Sequence, residues 1–112
     1  MKKFLLLYMS PVSAEEQMAK PQAEDMEKAM QPWIEWFGEV GEGLLDQGMP
    51  LGNSKHVTTS EVSEGASHIM GYSMIQAESM EKALELAQKQ PHLTMGEGRS
   101  VEVLETLSMP GM

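Results

Sequence analysis

The sequence predicts an α+β domain in which a four-stranded antiparallel sheet carries two helices on one face. Three observations predict it. Apolar residues switch between strand and helix periods in the order βαββαβ. Two of the four strands are apolar on both faces and two are mixed, which separates central from edge positions. The chain has 112 residues, room for one domain with a modest core, and no apolar run approaches membrane-spanning length.

Lys3 to Met9 reads as the first strand, with Leu5, Leu7 and Met9 on one face and Phe4, Leu6 and Tyr8 on the other. Both sets are apolar, so this strand expects cover on both sides. Pro11 ends it. Ser13-Ala14-Glu15-Glu16 has the form of a capping box, so a short helical turn is expected there, interrupted by Pro21. From Gln22 to Gln47 a helical pattern follows. Met26, Met30, Trp33, Phe37, Val40 and Leu44 step by three or four and form one apolar stripe. On that spacing Trp33 belongs to the core, and Trp36 flanks it and is placed to line an interface. Pro32 lies inside the pattern and predicts a bend or a restart, because it lacks an amide hydrogen and crowds the preceding turn. Gly48 and Pro50 read as the stop.

Lys55 to Ser60 is polar and β-branched and reads as the second strand; Glu61 to Ser67 reads as a loop. Gly71 to Leu107 organises the rest as strand, helix, strand. Extended back to His68, the third strand has His68, Met70, Tyr72 and Met74 on one face and Ile69, Gly71, Ser73 and Ile75 on the other. Ser79 offers an N-cap oxygen to a second helix whose inner face is Met80, Ala83, Leu84 and Ala87. Glu85 and Lys89 are spaced as an ion pair on its outer side. Pro91 cannot continue the helix, Gly96 and Gly98 mark a turn, and Val101, Val103 and Leu104 interleave with Glu102 and Glu105 in a fourth strand. The tail from Ser108 to Met112 has no pattern of its own.

This order and face pattern fit a ferredoxin-like sheet, strands ordered 4-1-3-2. Right-handed crossovers place both helices on one side. The other side keeps apolar residues with nothing from the chain to cover it. A second copy of the chain is the expected partner, giving a homodimer through the open sheet face.

Composition narrows the function classes. The net charge of −9 repels phosphate backbones and anionic lipid, so neither nucleic acid nor membrane is expected as a partner. The absence of cysteine excludes disulfides, thiolate catalysis and zinc thiolate sites, and fits a cytoplasmic location. Lys2, Lys3 and the short apolar run after them fall short of a signal sequence. Twelve methionines read as adaptable core filling; a copper(I) thioether site would need two or three of them to converge. Gly41-Glu42-Gly43 and Gly96-Glu97-Gly98 match no phosphate-binding spacing, and the histidine spacings match no zinc motif, so no cofactor and no metal are expected.

The candidate site residues are His68, His56, Tyr72 and Glu64. Histidine titrates near neutral pH, and the predicted pairing of the second and third strands brings His56 and Tyr72 to one face, where they would exchange protons with a small substrate. Glu61 and Glu64 precede His68, and a carboxylate that orients a histidine is a recurrent catalytic unit. Against this stands the plainer reading of edge-strand histidines and solvated acidic residues. His92, after Pro91, reads as a cationic cap on a helix C-terminus.

The opening KKFLLLY, the WIEWFGEVGEGLLDQGMPLG and GYSMIQAESMEKALELAQKQPHL segments and the closing VEVLET together resemble the YCII-related domain family over most of the chain. The resemblance implies a dimeric ferredoxin-like assembly of the α/β-barrel type, with the sheets of two subunits facing each other and leaving clefts. Some relatives act in aromatic-compound breakdown, and a histidine–aspartate pair has been proposed as catalytic in some. The Asp-Gly-Pro-Phe signature of one branch is absent; the nearest loop reads Glu64-Gly65-Ala66-Ser67, and no histidine precedes His56. The family's catalytic residues therefore have no counterparts here. The resulting expectation is a small-molecule-handling protein, catalytic or not, with a cleft near the dimer interface. The alternative is a non-catalytic homodimeric binding or assembly module.

Overall fold

A computed structural model describes residues 1–11, 26–65, 67–94 and 96–108 of the chain. The expected turn at 13–16, Pro21 and the end of the tail lie outside the described residues. Among the described residues the architecture is α+β, with two α-helices and antiparallel strands, consistent with a ferredoxin-like fold. Strand β1 spans Lys2–Met9, helix α1 Met26–Val40, β2 Leu44–Asp46, β3 Lys55–Val57, β4 Val62–Glu64, β5 Ile69–Ala77, helix α2 Met80–Gln88 and β6 Ser100–Glu105. A four-stranded sheet runs in the order β2-β5-β1-β6, and β3 and β4 form a separate two-stranded ribbon.

The register of the sheet sorts its faces. Phe4 faces Ile75 and Leu6 faces Ser73 across the β1–β5 pair. Phe4, Leu6, Tyr8, Ile75 and Ala77 are buried on one face, together with Trp36 of α1 and Ala83 and Ala87 of α2. Both helices therefore cover the same side of the sheet. On the opposite side Leu5 pairs with Met74 and with Leu104, and Leu7 pairs with Tyr72. Leu5, Leu7, Met9, Met70, Tyr72 and Met74 are only half-buried, and Leu104 is exposed. Among the described residues no helix lies over this face.

Two boundaries differ from the sequence expectation, and one residue explains both. The helical pattern carries on to Leu44 by spacing, but α1 ends at Val40. Gly41 has a φ of 62°. That left-handed conformation is the usual way a helix stops, and glycine adopts it without strain. A single 3₁₀ turn over Gly41–Gly43 follows, and Leu44 then enters the sheet opposite Ile75, still on the core side. The second strand of the sheet is thus Leu44–Asp46 and not the segment from Lys55 to Ser60. That segment shortens to β3, which pairs with β4 inside the expected loop, His56 opposite Ser63 and Val57 opposite Val62. Thr58 closes the turn, receiving the Glu61 amide on its hydroxyl at 3.1 Å.

Pro32 lies within one continuous helix. Trp36, not Trp33, is the buried indole at 2% exposure. Its Nε1 donates to the Leu86 carbonyl at 2.9 Å and ties α1 to α2. Ser79 caps α2 as expected, its hydroxyl accepting from the Lys82 amide at 3.3 Å. The inner face of α2 includes Leu86, while Leu84 points to solvent. The expected Glu85–Lys89 pair is replaced by Lys82–Glu85 and by Lys89–Glu39 between the helices, each at 3.7 Å. These exposed pairs add little, typically below about 1 kcal/mol each.

Candidate binding cavity

Between α1, the loop after β2 and the end of β5, a cavity of about 320 Å³ opens to solvent. Helix α1 contributes Met30, Trp33 and Phe37; the loop after β2 contributes Gln47, Gly48, Met49 and Pro50. Tyr8, Met70, Gly71 and Tyr72 come from the two central strands, and His92 and Arg99 flank the turn before β6. The wall is mainly apolar and aromatic, with its charge at one end.

Gly48 sets the position of the loop. Its φ is 80°, and a Cβ there would overlap the Tyr72 carbonyl. Only glycine brings the loop this close to β5. The Gly48 amide donates to Asp46 Oδ1 at 2.8 Å, and Leu51 N donates to the Met70 carbonyl at 2.8 Å.

Behind the wall runs a buried chain of hydrogen bonds. The Tyr8 hydroxyl donates to Ser73 Oγ at 2.6 Å, and Ser73 donates to the Gln47 carbonyl at 2.7 Å. Gln90 Nε2 donates to the Tyr8 oxygen at 3.0 Å, while Gln90 Oε1 accepts the His92 amide at 3.0 Å. The Tyr8–Ser73–Gln47 run links the core to the cavity loop. Burial pushes the Tyr8 hydroxyl up to about 12, partly offset by its bond to Ser73. Tyr8 therefore stays protonated at any physiological pH.

His92 is 2% exposed. Its Nε2 lies 2.7 Å from the Met9 carbonyl. A carbonyl only accepts, so Nε2 carries the proton. Arg99 Nη1 stands 3.4 Å from Nδ1 and donates to it. Burial lowers the His92 pKa first; the Met9 backbone bond raises it, the Arg99 charge lowers it, and backbone bonding at Ser100 raises it. The net direction is downward, so the ring is neutral at pH 7. Burial also lowers the Arg99 pKa, which from so high an ordinary value leaves the guanidinium charged.

Of the four residues singled out from the sequence, Tyr72 borders this cavity where its carbonyl meets Gly48, while its side chain belongs to the open sheet face and its hydroxyl donates to Asp46 Oδ2 at 3.4 Å. His68 is exposed and its Nδ1 lies 2.9 Å from the Ser10 carbonyl. His56 and Glu64 are exposed on the ribbon, where Glu64 pairs with Lys55 and both border a shallow polar depression. The expected pairing that would set His56 beside Tyr72 is replaced by pairing within the ribbon. Arg99 escaped the sequence reading, and His92, read from the sequence as a cationic helix cap, is instead buried, with burial lowering its pKa. The one local signal for His92 is its place between Pro91 and Leu93, apolar neighbours atypical of a solvated cap. Among the described residues no three His, Asp or Glu side chains converge as a metal site. No helix among them is long and apolar enough to cross a membrane.

No family model matches the chain, and no curated protein matches it. Among solved structures the chain is similar to 5-chloro-2-hydroxyhydroquinone dehydrochlorinase (TftG) from Burkholderia phenoliruptrix AC1100, in complex with 2,5-dihydroxybenzoquinone. Identity is 12%, the match covers 91% of each chain, and the TM-score is 0.48.

Proposed function

We propose that this protein binds a small organic molecule in the cavity between α1, the Gln47–Pro50 loop and the end of β5. The observation that carries the reading is the lining itself: aromatic and methionine side chains over most of about 320 Å³, with the polar groups of His92 and Arg99 at one end. Concave, mostly apolar sites with a few placed polar groups are the usual form of small-molecule pockets, and this volume lies at their lower end. Tyr72 is a contact of the site. His68, His56 and Glu64 form the remaining test set for a catalytic role.

The half-buried apolar side chains on the open sheet face support a second element of the proposal, a homodimer mated through that face. The YCII-related resemblance and a cytoplasmic location belong to the same reading. A non-catalytic homodimeric module is the second reading, favoured by the exposed placement of His56, His68 and Glu64.

The test is a thermal-shift screen of small metabolites followed by amide chemical-shift mapping. A ligand bound only by the folded state raises the melting temperature, by mass action. The expected hits shift the signals of Trp33, Gly48 and Tyr72. Hits that map elsewhere, or none across a broad library, would remove the proposal.

A further inference from the structure

Resting on the reading of the cavity as a binding site, we infer that its ligand is an uncharged, apolar molecule whose ring body seats against Trp33 and Phe37. The bordering side chains that carry charge or titrate are already engaged within the protein. The Tyr8 hydroxyl donates to Ser73 Oγ at 2.6 Å and accepts from Gln90 Nε2 at 3.0 Å. The Tyr72 hydroxyl is directed to Asp46. His92 gives its Nε2 proton to the Met9 carbonyl and receives Arg99 Nη1 on Nδ1. Arg99 makes a further interaction besides that one. The polar end of the cavity is thus closed on itself, and what the wall offers a ligand is shape and apolar surface.

Each charged class of ligand meets a specific obstacle. An acid that drew the guanidinium to itself would take the donor from Nδ1 of a buried histidine, and a buried acceptor left unpaired is costly. The net charge of −9 opposes an acid further. An amine would meet the Arg99 charge, and the described lining holds no carboxylate to balance it. A neutral apolar body meets neither obstacle. Tyr8 stands edge-on to Trp33 at 5.1 Å, and Trp33 lies 6.1 Å from Phe37, so the wall is a continuous row of rings. Such rings pack well against another ring. Met30 from α1 and Met49 from the loop are both exposed and border the same space. Their flexible thioether chains can fit themselves to the outline of a ligand.

The experiment uses the full-length protein with three probes of one ring system: neutral 2-methylnaphthalene, anionic 2-naphthoate and cationic 2-naphthylmethylamine. Each is titrated at pH 7.5 and located by amide shift mapping, below the solubility limit of the neutral probe. The neutral probe should bind about ten-fold or more tighter than either charged one. It should shift the signals of Trp33, Phe37 and Met49, and Trp33→Ala or Met49→Ser should weaken it several-fold. Met49 is an exposed loop residue, so its variant keeps the test open should Trp33→Ala fail to fold. A charged probe that binds at these signals as tightly as the neutral one overturns the uncharged assignment and leaves the cavity reading standing. Neutral-probe affinity unchanged in both variants overturns the seat on the ring wall. Failure of all three probes to perturb the cavity signals overturns the inference and the cavity reading together.

Discussion

Replacing Tyr8 by phenylalanine tests the buried hydrogen-bond chain that holds the cavity loop. The substitution deletes one oxygen and keeps the ring in the core. Ser73 retains its bond to the Gln47 carbonyl, so the main loss falls on Gln90, whose Nε2 is left without its acceptor in a side chain 1% exposed. A buried donor left unsatisfied costs about 1–3 kcal/mol, and the lost Tyr8–Ser73 bond adds about 1 kcal/mol. The expected destabilisation is about 2–3 kcal/mol, a fall in Tm of roughly 8–15 °C for a domain of this size. The Tyr8 ionisation provides an independent check. Its pKa rises from 10.0 to about 12 in the folded state. A raised pKa adds stability that is fully present below pH 10 and is lost as the pH climbs through 12, at most about 3 kcal/mol. Chemical denaturation at pH 7.5 and through the alkaline limb reads both effects. Tyr8→Phe should be less stable at neutral pH and should lose part of the alkaline dependence. The double variant Tyr8→Phe/Gln90→Met should cost about 1 kcal/mol or more less than the sum of the singles, because it removes the orphaned amide. A single substitution costing under about 0.5 kcal/mol, with an unchanged alkaline limb, would refute the reasoning.

The other predictions are independent of it. The depressed His92 pKa means that the unfolded chain takes up this proton first as pH falls below 6.5, so the folded state loses stability in that direction; the stability difference between wild type and His92→Gln should shrink between pH 7.5 and 5.5 in urea titrations. Gly48→Ala meets a positive φ and the Tyr72 carbonyl together, and should cost about 2 kcal/mol or more and weaken ligand binding as the loop withdraws; unchanged stability would show that the loop does not need glycine. Trp36→Phe removes the bond to the Leu86 carbonyl and part of a buried ring, with an expected loss of about 1–3 kcal/mol by thermal denaturation. Leu7→Glu places a charge on the open sheet face and should yield a folded monomer by sedimentation, whereas a wild-type protein already monomeric at micromolar concentration would defeat the dimer proposal.

What the sequence conveys of this fold is its layer structure, because that rests on local periods. Alternation in Phe4, Leu6 and Tyr8 and capping by Ser79 both survive in the structure unchanged. The error around Leu44 has a definite source. Its side chain faces the core both as the next residue of a helical stripe and as the first of a strand, so apolar spacing does not separate the two. The decisive residue is Gly41, and a glycine inside a good helical pattern is ambiguous until its φ is known. The ribbon was legible only in half, since its turn, from Thr58 to Glu61, has neither glycine nor asparagine to signal a hairpin. The cavity was the least legible part. His92 is buried by a bond to Met9, 83 residues away in the chain, and Tyr8 and Gln90 are separated by 82. Contacts at that range are not written into local spacing, so the helix end at Pro91 suggested a cationic cap for His92.

The bridge between Pro50 and Gly71 and the bond from Leu51 to Met70 cinch the two legs of the β3–β4 excursion where they leave the sheet. Everything beyond that knot hangs from a closed collar. Lengthening such an excursion costs free energy only as the logarithm of its length. The segment bearing His56 and Glu64 is therefore free to be recut, extended or exchanged while the strands beneath it, and the hollow they wall, keep their shape.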